Sequence, residues 1–487
     1  MHRTSLVAGL AVLAGCAQLA GLDTTTDERT GVSLGLERVS IGATVIRTPA
    51  DLTGEIASYL VPDQAAPTGY VPIAATAAGG TFSADIRSAT PPVRFTLPGV
   101  APELFWQYPN AHLLGDYALL EHPNATPAPM GATVTATLTL DTPYVGELIR
   151  VYTVGAWAYR DFAALELPAP ATGVTAIGPV AFPFASMNPL NNRPLERLTA
   201  ADAVLVLRYV SGTLLGALDL PGFDQTGTDT ITGALTSIAQ DRAFMADLDP
   251  PAAVARFSAA RPAVPTISMA WHVFAAPGYA LHDERGPQLN AAAIPATDPA
   301  AIIPITYGNP FVGRDWKAVF NFTSTATRIY TPPSAGIPVT LAALMVQRTT
   351  DPTGTFDVSL PAGLPELITL DGRSLSTDGI AIPKPTRTAI VTFVPDSTTN
   401  SLYFVQVNEL VPNAETTALT LTTRLVATGL EPRLELPPDA FEPGKLYSLR
   451  AGSMQGGFPN LAMGDVRLGG APFAIAFLDS GVIQVMP

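Results

Sequence analysis

The octet Thr133-Val134-Thr135-Ala136-Thr137-Leu138-Thr139-Leu140 places threonine at every odd position and an aliphatic residue at every even one. Side chains alternate across a strand, so this pattern makes one apolar face and one hydroxyl face. A helix would spread the same residues round its circumference and bury no coherent stripe. The two-residue period recurs upstream at 39–45 and 93–97, and downstream at 148–154, ending near Trp157. Residues 204–210, 229–232, 267–274, 390–394, 403–407 and 419–425 read the same way. The 47 prolines and 40 glycines punctuate these runs, which argues against long helices. The expected fold class is all-β and multidomain.

A chain of 487 residues with 47% hydrophobic content predicts two to four packed domains. The net charge of −14 excludes nucleic acid as a partner and any polybasic grip on anionic lipid. There is a single cysteine, Cys16, so no intrachain disulfide can form and each module must stand on its own core.

Arg3 followed by the apolar run 6–14 has the charge and length of an export signal, too short to remain as a spanning helix. The residues that follow, Leu13-Ala14-Gly15-Cys16, resemble the lipobox of bacterial lipoproteins. That resemblance implies removal of residues 1–15, diacylation of the Cys16 thiol and usually a third acyl chain on the new amino group. Two or more acyl chains hold a protein stably on a membrane, at about 0.8 kcal/mol per buried methylene. Ala17 stands where inner-membrane retention in that family calls for aspartate, which implies an outer-membrane address. A polar tether is expected over 16–35.

The expected units are a β-sandwich domain over 36–165, a second β-rich domain with linkers over 166–300, a β-rich module over 301–379 and a final sandwich over 380–487. The Pro/Ala/Gly-rich stretch 167–192 reads as a linker and 275–309 as loop. Residues 198–212 superficially resemble a dockerin helix, but 191–196 lack the calcium ligands that family places upstream, and a strand is the better reading. A nine-residue echo between 96–104 and 359–367 suggests two related modules.

In Phe441-Glu442-Pro443-Gly444-Lys445-Leu446-Tyr447 the proline fixes φ, the glycine permits a positive φ, and Tyr447 can bond back across the turn. This resembles the tyrosine corner of fibronectin type III domains, implying an immunoglobulin-like sandwich over about 380–460. Phe393 stands where that family prefers tryptophan, and the tail 458–487 extends beyond its usual end.

No serine nucleophile elbow, zinc-protease motif or phosphate loop occurs, so no catalytic residue is assigned and no cofactor or metal is expected. One polar-aromatic patch stands out, with Trp106, Tyr108 and His112 as the candidate ligand-binding residues for a glycan or peptide. Asp116, Glu121 and His122 add zinc-type donors at a spacing that matches no zinc motif. Most simply, the patch is a long loop whose aromatics cap a core. The span 224–229 lacks the alternating ligands of a calcium loop, and 282–285 reads as a solvated turn. The resulting expectation is a lipid-anchored, non-enzymatic envelope protein that binds or spaces. A glycan- or peptide-binding accessory using Trp106 and a hydrolase with an unfamiliar site are the alternatives.

Overall fold

The computed structural model describes residues 30–63, 65–86, 92–97, 100–120, 126–162, 167–190, 195–261, 266–278, 286–397, 401–413 and 417–486. Leu13, Ala14, Gly15 and Cys16 lie outside them, as do Glu121, His122 and 282–285. The chain is all-β. The octet is the strand Thr133–Leu140, and 148–154 is the strand Leu148–Val154. Residues 204–210 fall in the strand Ala203–Val210. Among the described residues one α-helix occurs, Pro250–Ala260, capped by the Asp249 carboxylate, which accepts from the Ala252 N–H at 2.9 Å.

Among the described residues the strands assemble into four β-sandwiches. In the first, Thr30–Ile41 pairs with Val45–Pro49, Thr81–Ile86 and, in parallel, His112–Leu119. This sheet faces Ala57–Pro62, Val93–Leu97 and Val100–Gln107 across a core that includes Leu34, Phe82 and Phe95. The second wraps an eight-stranded sheet round Val134, Leu138, Ile149 and Val206. In the third, Thr266–Ala276, Lys317–Tyr330 and Val339–Thr350 face Arg242–Leu248 and Ala301–Tyr307. Phe244 and Phe320 meet edge-on between the two sheets, 5.1 Å apart. In the fourth, Phe473–Asp479, Leu446–Gly456, Ser401–Asn413 and Ala418–Gly429 form the front sheet. Its rear sheet is Pro365–Leu370, Ala389–Pro395 and Arg433–Leu436.

These sandwiches share backbone. Val339–Thr350 pairs with Phe473–Asp479, joining the third to the fourth. Val100–Gln107 runs parallel to Ala418–Gly429, joining the first to the fourth. The product is one fourteen-stranded sheet. Where sandwiches one, two and three meet, the turn at Gly42 to Thr44 is gripped by two indoles. Trp157 donates to the Ile41 carbonyl and Trp316 to the Ala43 carbonyl, the two rings stacking at 6.5 Å.

Several sequence expectations are corrected. The run 39–45 is two strands with a turn between them, and 30–35, expected in the tether, belongs to Thr30–Ile41. The stretch 167–192 is not simply a linker, because Ala176–Pro183 pairs with the octet. The stretch 275–309 holds Gln288–Ile294 and Ala301–Tyr307. Both Ala176–Pro183 and Ala301–Tyr307 are edge strands, where proline costs no ladder hydrogen bond. Strand pairing runs across 165, 300 and 379, where Thr133–Leu140 meets Thr228–Ser237, Arg242–Leu248 meets Thr355–Asp357 and Pro365–Leu370 meets Ala389–Pro395. The echo is not a repeat of structure. Its first copy falls in the hairpin formed by Val93–Leu97 and Val100–Gln107. Its second crosses from the third sandwich, which holds Thr355–Asp357, into the fourth, which holds Pro365–Leu370.

At the C-terminal corner Tyr447 is fully buried, and its hydroxyl accepts the Glu442 N–H at 3.0 Å, while Gly444 takes φ of 81°. Tyr447→Phe removes the acceptor and strands a backbone donor. The expected cost is about 1–3 kcal/mol, read as a lower urea midpoint for loss of the fourth sandwich.

Candidate functional site

The aromatic patch is not a surface. Trp106 lies in the strand Val100–Gln107 and is 7% exposed. Its ring meets Phe95 edge-on at 5.1 Å and Tyr108 at 5.6 Å. The rim of its six-membered ring reaches the facing sheet, where a Cβ on Gly115 in His112–Leu119 would come within 2.1 Å of the indole. Tyr108 is also buried, donates to Thr428 Oγ1 at 3.2 Å, and has its phenol pushed up by that burial. Both belong to the core of the first sandwich, so neither can stack on a ligand, and the region expected to be a loop is paired strand.

His112 is exposed, with Nδ1 2.9 Å from Ser33 Oγ. It shares a strand with Asp116, but four residues along a strand span about 13 Å, too far for one ion. Among the described residues no three His, Cys, Asp or Glu side chains cluster as metal ligands would. Asp224 is paired with Arg197 at 3.0 Å, and Asp229 holds its own turn by accepting from the Thr226 and Gly227 N–H groups.

Asp116 serves a clasp between the two ends of the chain. Arg47 reaches its carboxylate at 3.1 Å and Glu37 at 3.3 Å, and donates to the Leu468 carbonyl at 2.9 Å. Arg467 meets Glu37 at 3.0 Å and Asp465 at 2.8 Å. The hydrogen bond and charge of Arg467 hold the Asp465 carboxyl below its ordinary range.

The feature most like a binding site is one that sequence reading missed. The front sheet of the fourth sandwich continues through Val100–Gln107, Val93–Leu97, Ala57–Pro62 and Tyr70–Ala74, but its rear sheet stops at Arg433–Leu436. One face of this overhang carries Tyr59, Phe95 and Trp106 into the first sandwich. The other carries Leu60, Arg94 and Phe105 toward a cavity of about 600 Å³, walled on the far side by Thr388, Pro437 and Asp439. That volume is in the range of small-molecule sites.

The polar part of the cavity is compact. Arg94 donates through Nε and Nη2 to both oxygens of Glu103, the Nη2 bond at 2.7 Å. Its Nη1 meets Asp439 Oδ1 and Oδ2 at 3.1 and 2.9 Å. Burial pulls the guanidinium down, but the two carboxylates outweigh it and hold its pKa above the ordinary value. Thr96, on the same wall, donates to Glu55 at 2.8 Å. The only sequence signal was the alternation of Arg94 with apolar neighbours in 93–97, which marks a strand and not a ligand.

No known family model matches the chain, and no curated protein matches it. Among solved structures it overlaps Escherichia coli alpha-2-macroglobulin activated by porcine elastase, at 9% identity and a TM-score of 0.15, over 94% of this chain and 44% of that one. A second is trypsin-activated alpha-2-macroglobulin from Escherichia coli, at 11% identity and 0.12, over 92% and 29%. The chain thus spans less than half the length of either, and likeness at these scores carries no argument about role.

Trp106→Ala is expected to destabilise the first sandwich by about 3–5 kcal/mol, as loss of a packed indole does. Thermal melting reads this, and a melt unchanged from wild type would return Trp106 to the surface. The clasp predicts an acid limb. A carboxylate whose pKa is depressed on folding stabilises above its unfolded value of about 3.9 and loses that effect as pH falls through the folded value. Below pH about 4 the melting temperature should therefore fall less steeply for Asp465→Asn than for wild type.

Proposed function

We propose that this is a lipid-anchored, non-enzymatic protein of the cell envelope, held in the outer membrane through Cys16, whose sandwiches bind or space at the membrane surface. The observation that carries the reading is Leu13-Ala14-Gly15-Cys16 closing an apolar run behind Arg3. From Cys16 to the first residue of the first strand, Thr30, is fourteen residues, a reach of at most roughly 50 Å. The body would therefore stay near the lipid surface instead of roaming on a long stalk. The glycan- or peptide-binding alternative loses its platform at Trp106 and Tyr108, since both are core residues.

The test is phase partition and N-terminal mass in a host that processes lipoproteins. Wild type should enter the detergent phase without residues 1–15 and with acyl mass on Cys16. Cys16→Ser should stay uncleaved or move to the aqueous phase. A full-length wild-type chain with a bare thiol would sink the reading.

A further inference from the structure

We infer that the cavity under the overhanging strands is a binding site for a small amphipathic cation, with an apolar body against Ile56, Tyr70 and Pro72 and a protonated amine at Asp439. This goes beyond the anchored-protein reading and does not rest on it.

The apolar part follows from sheet widths. A β-sandwich buries its inner faces because each sheet covers the other. Here the front sheet runs on past the last rear strand, and beyond the buried Leu60 and Phe105 the cavity wall is left to Ile56, Tyr70 and Pro72, of which Ile56 is 75% exposed. Among the described residues no further strand closes the gap. The rear sheet's last strand is finished by the side chain of Gln107, which donates to the Glu435 carbonyl at 2.7 Å and accepts its N–H at 2.9 Å. Pro437 and Pro438 follow, and Pro437 has no N–H to offer. Pro72 likewise blunts the outer edge strand, Tyr70–Ala74. An added peptide strand therefore finds no regular ladder on either edge, which favours a compact ligand over an extended one.

The charge follows from counting groups at the mouth. Glu103 and Asp439 flank one guanidinium, leaving carboxylate in excess. Arg94 turns its Nε, Nη1 and Nη2 toward Glu103 and Asp439, so an anion arriving here meets the repulsion of both carboxylates. Asp439 is different. Its side chain is 61% exposed and its oxygens have lone pairs beyond those Arg94 uses. A protonated amine finds an acceptor there and relieves the excess negative charge, while a carboxylate meets repulsion.

The experiment is calorimetric titration of the full-length Cys16→Ser chain, free of detergent, at pH 7 and low salt. The probes are 4-phenylbutylamine, 4-phenylbutanol and 4-phenylbutyrate, which share one apolar body and differ in head-group charge. The amine should bind about tenfold tighter than the carboxylate, the ratio one good charge-assisted contact supplies, and the preference should shrink with added salt. Asp439→Asn should cut the preference several-fold. Ser58→Phe, which grows a ring into the cavity, should abolish binding of all three while melting as the parent does. Should that variant misfold, Pro72→Phe on the exposed edge strand fills the same space. The proposal is overturned if the amine shows no binding at millimolar concentration, if the alcohol or carboxylate binds as tightly, or if filling the cavity leaves amine binding unchanged.

Discussion

The parallel ladder between Val100–Gln107 and Ala418–Gly429 is the constraint on which the rest of the architecture depends. It runs from Glu103 opposite Leu425 to Gln107 opposite Gly429, and it closes tightly at its end. A Cβ on Gly429 would sit 2.8 Å from the Gln107 carbonyl oxygen, so only glycine lets the two backbones approach. With that pairing made, the first sandwich and the last share a sheet. Tyr108 adds a side-chain tie to Thr428, and the clasp through Arg47, Asp116 and Arg467 fastens the same two sandwiches from another side. Residues hundreds of positions apart are held in one body without a covalent cross-link.

That sharing explains what the sequence hid. The octet at 133–140 was legible because one of its faces meets its own core while Thr137 and Thr139 on the other are exposed. The strands at 148–154 and 203–210 were legible from their dense β-branched runs, and the Tyr447 corner from Pro443 and Gly444. Residues 103–106 are different. Phe105 faces one sandwich and Trp106 another, so neither face carries the simple polar pattern that marks a strand with one solvated side. Aromatic residues on successive positions with charges between them looked like a decorated loop. The same pair of faces built the cavity, which no local motif could announce. Its walls come from residues 56–105 and 388–439, brought together by the ladder.

Module boundaries were hidden by proline. In an isolated reading, Pro179 and Pro183, like Pro304, break a strand and suggest a linker. Each lies in an edge strand, where the missing N–H faces away from the partner. The turn at Gly42 to Thr44 shows the opposite failure. An unbroken alternation over 39–45 suggested one strand, yet tertiary contacts impose a reversal there. Trp157, itself held at φ of 48°, and Trp316 each donate an indole hydrogen to a carbonyl at this turn. Donors from two other sandwiches outweigh the local preference, and the turn becomes the point about which three modules are fixed.

The Arg94 cluster is hard to account for as a stability device. Its members are 27%, 31% and 61% exposed, and ion pairs so open to water contribute little, typically below about 1 kcal/mol. Apolar residues would fill the space beside Leu60 and Phe105 at less risk. Packing logic alone would have closed the overhang, either by widening the rear sheet or by growing larger side chains at Ser58 and Thr96. The fold instead keeps a cavity of about 600 Å³, stops its rear sheet with Gln107 and two prolines, and sets an arginine between two carboxylates at the rim. An apolar wall at Ile56, Tyr70 and Pro72 and a carboxylate with spare lone pairs at Asp439 lie side by side in the cavity. They become complementary once an apolar body and a positive charge arrive together.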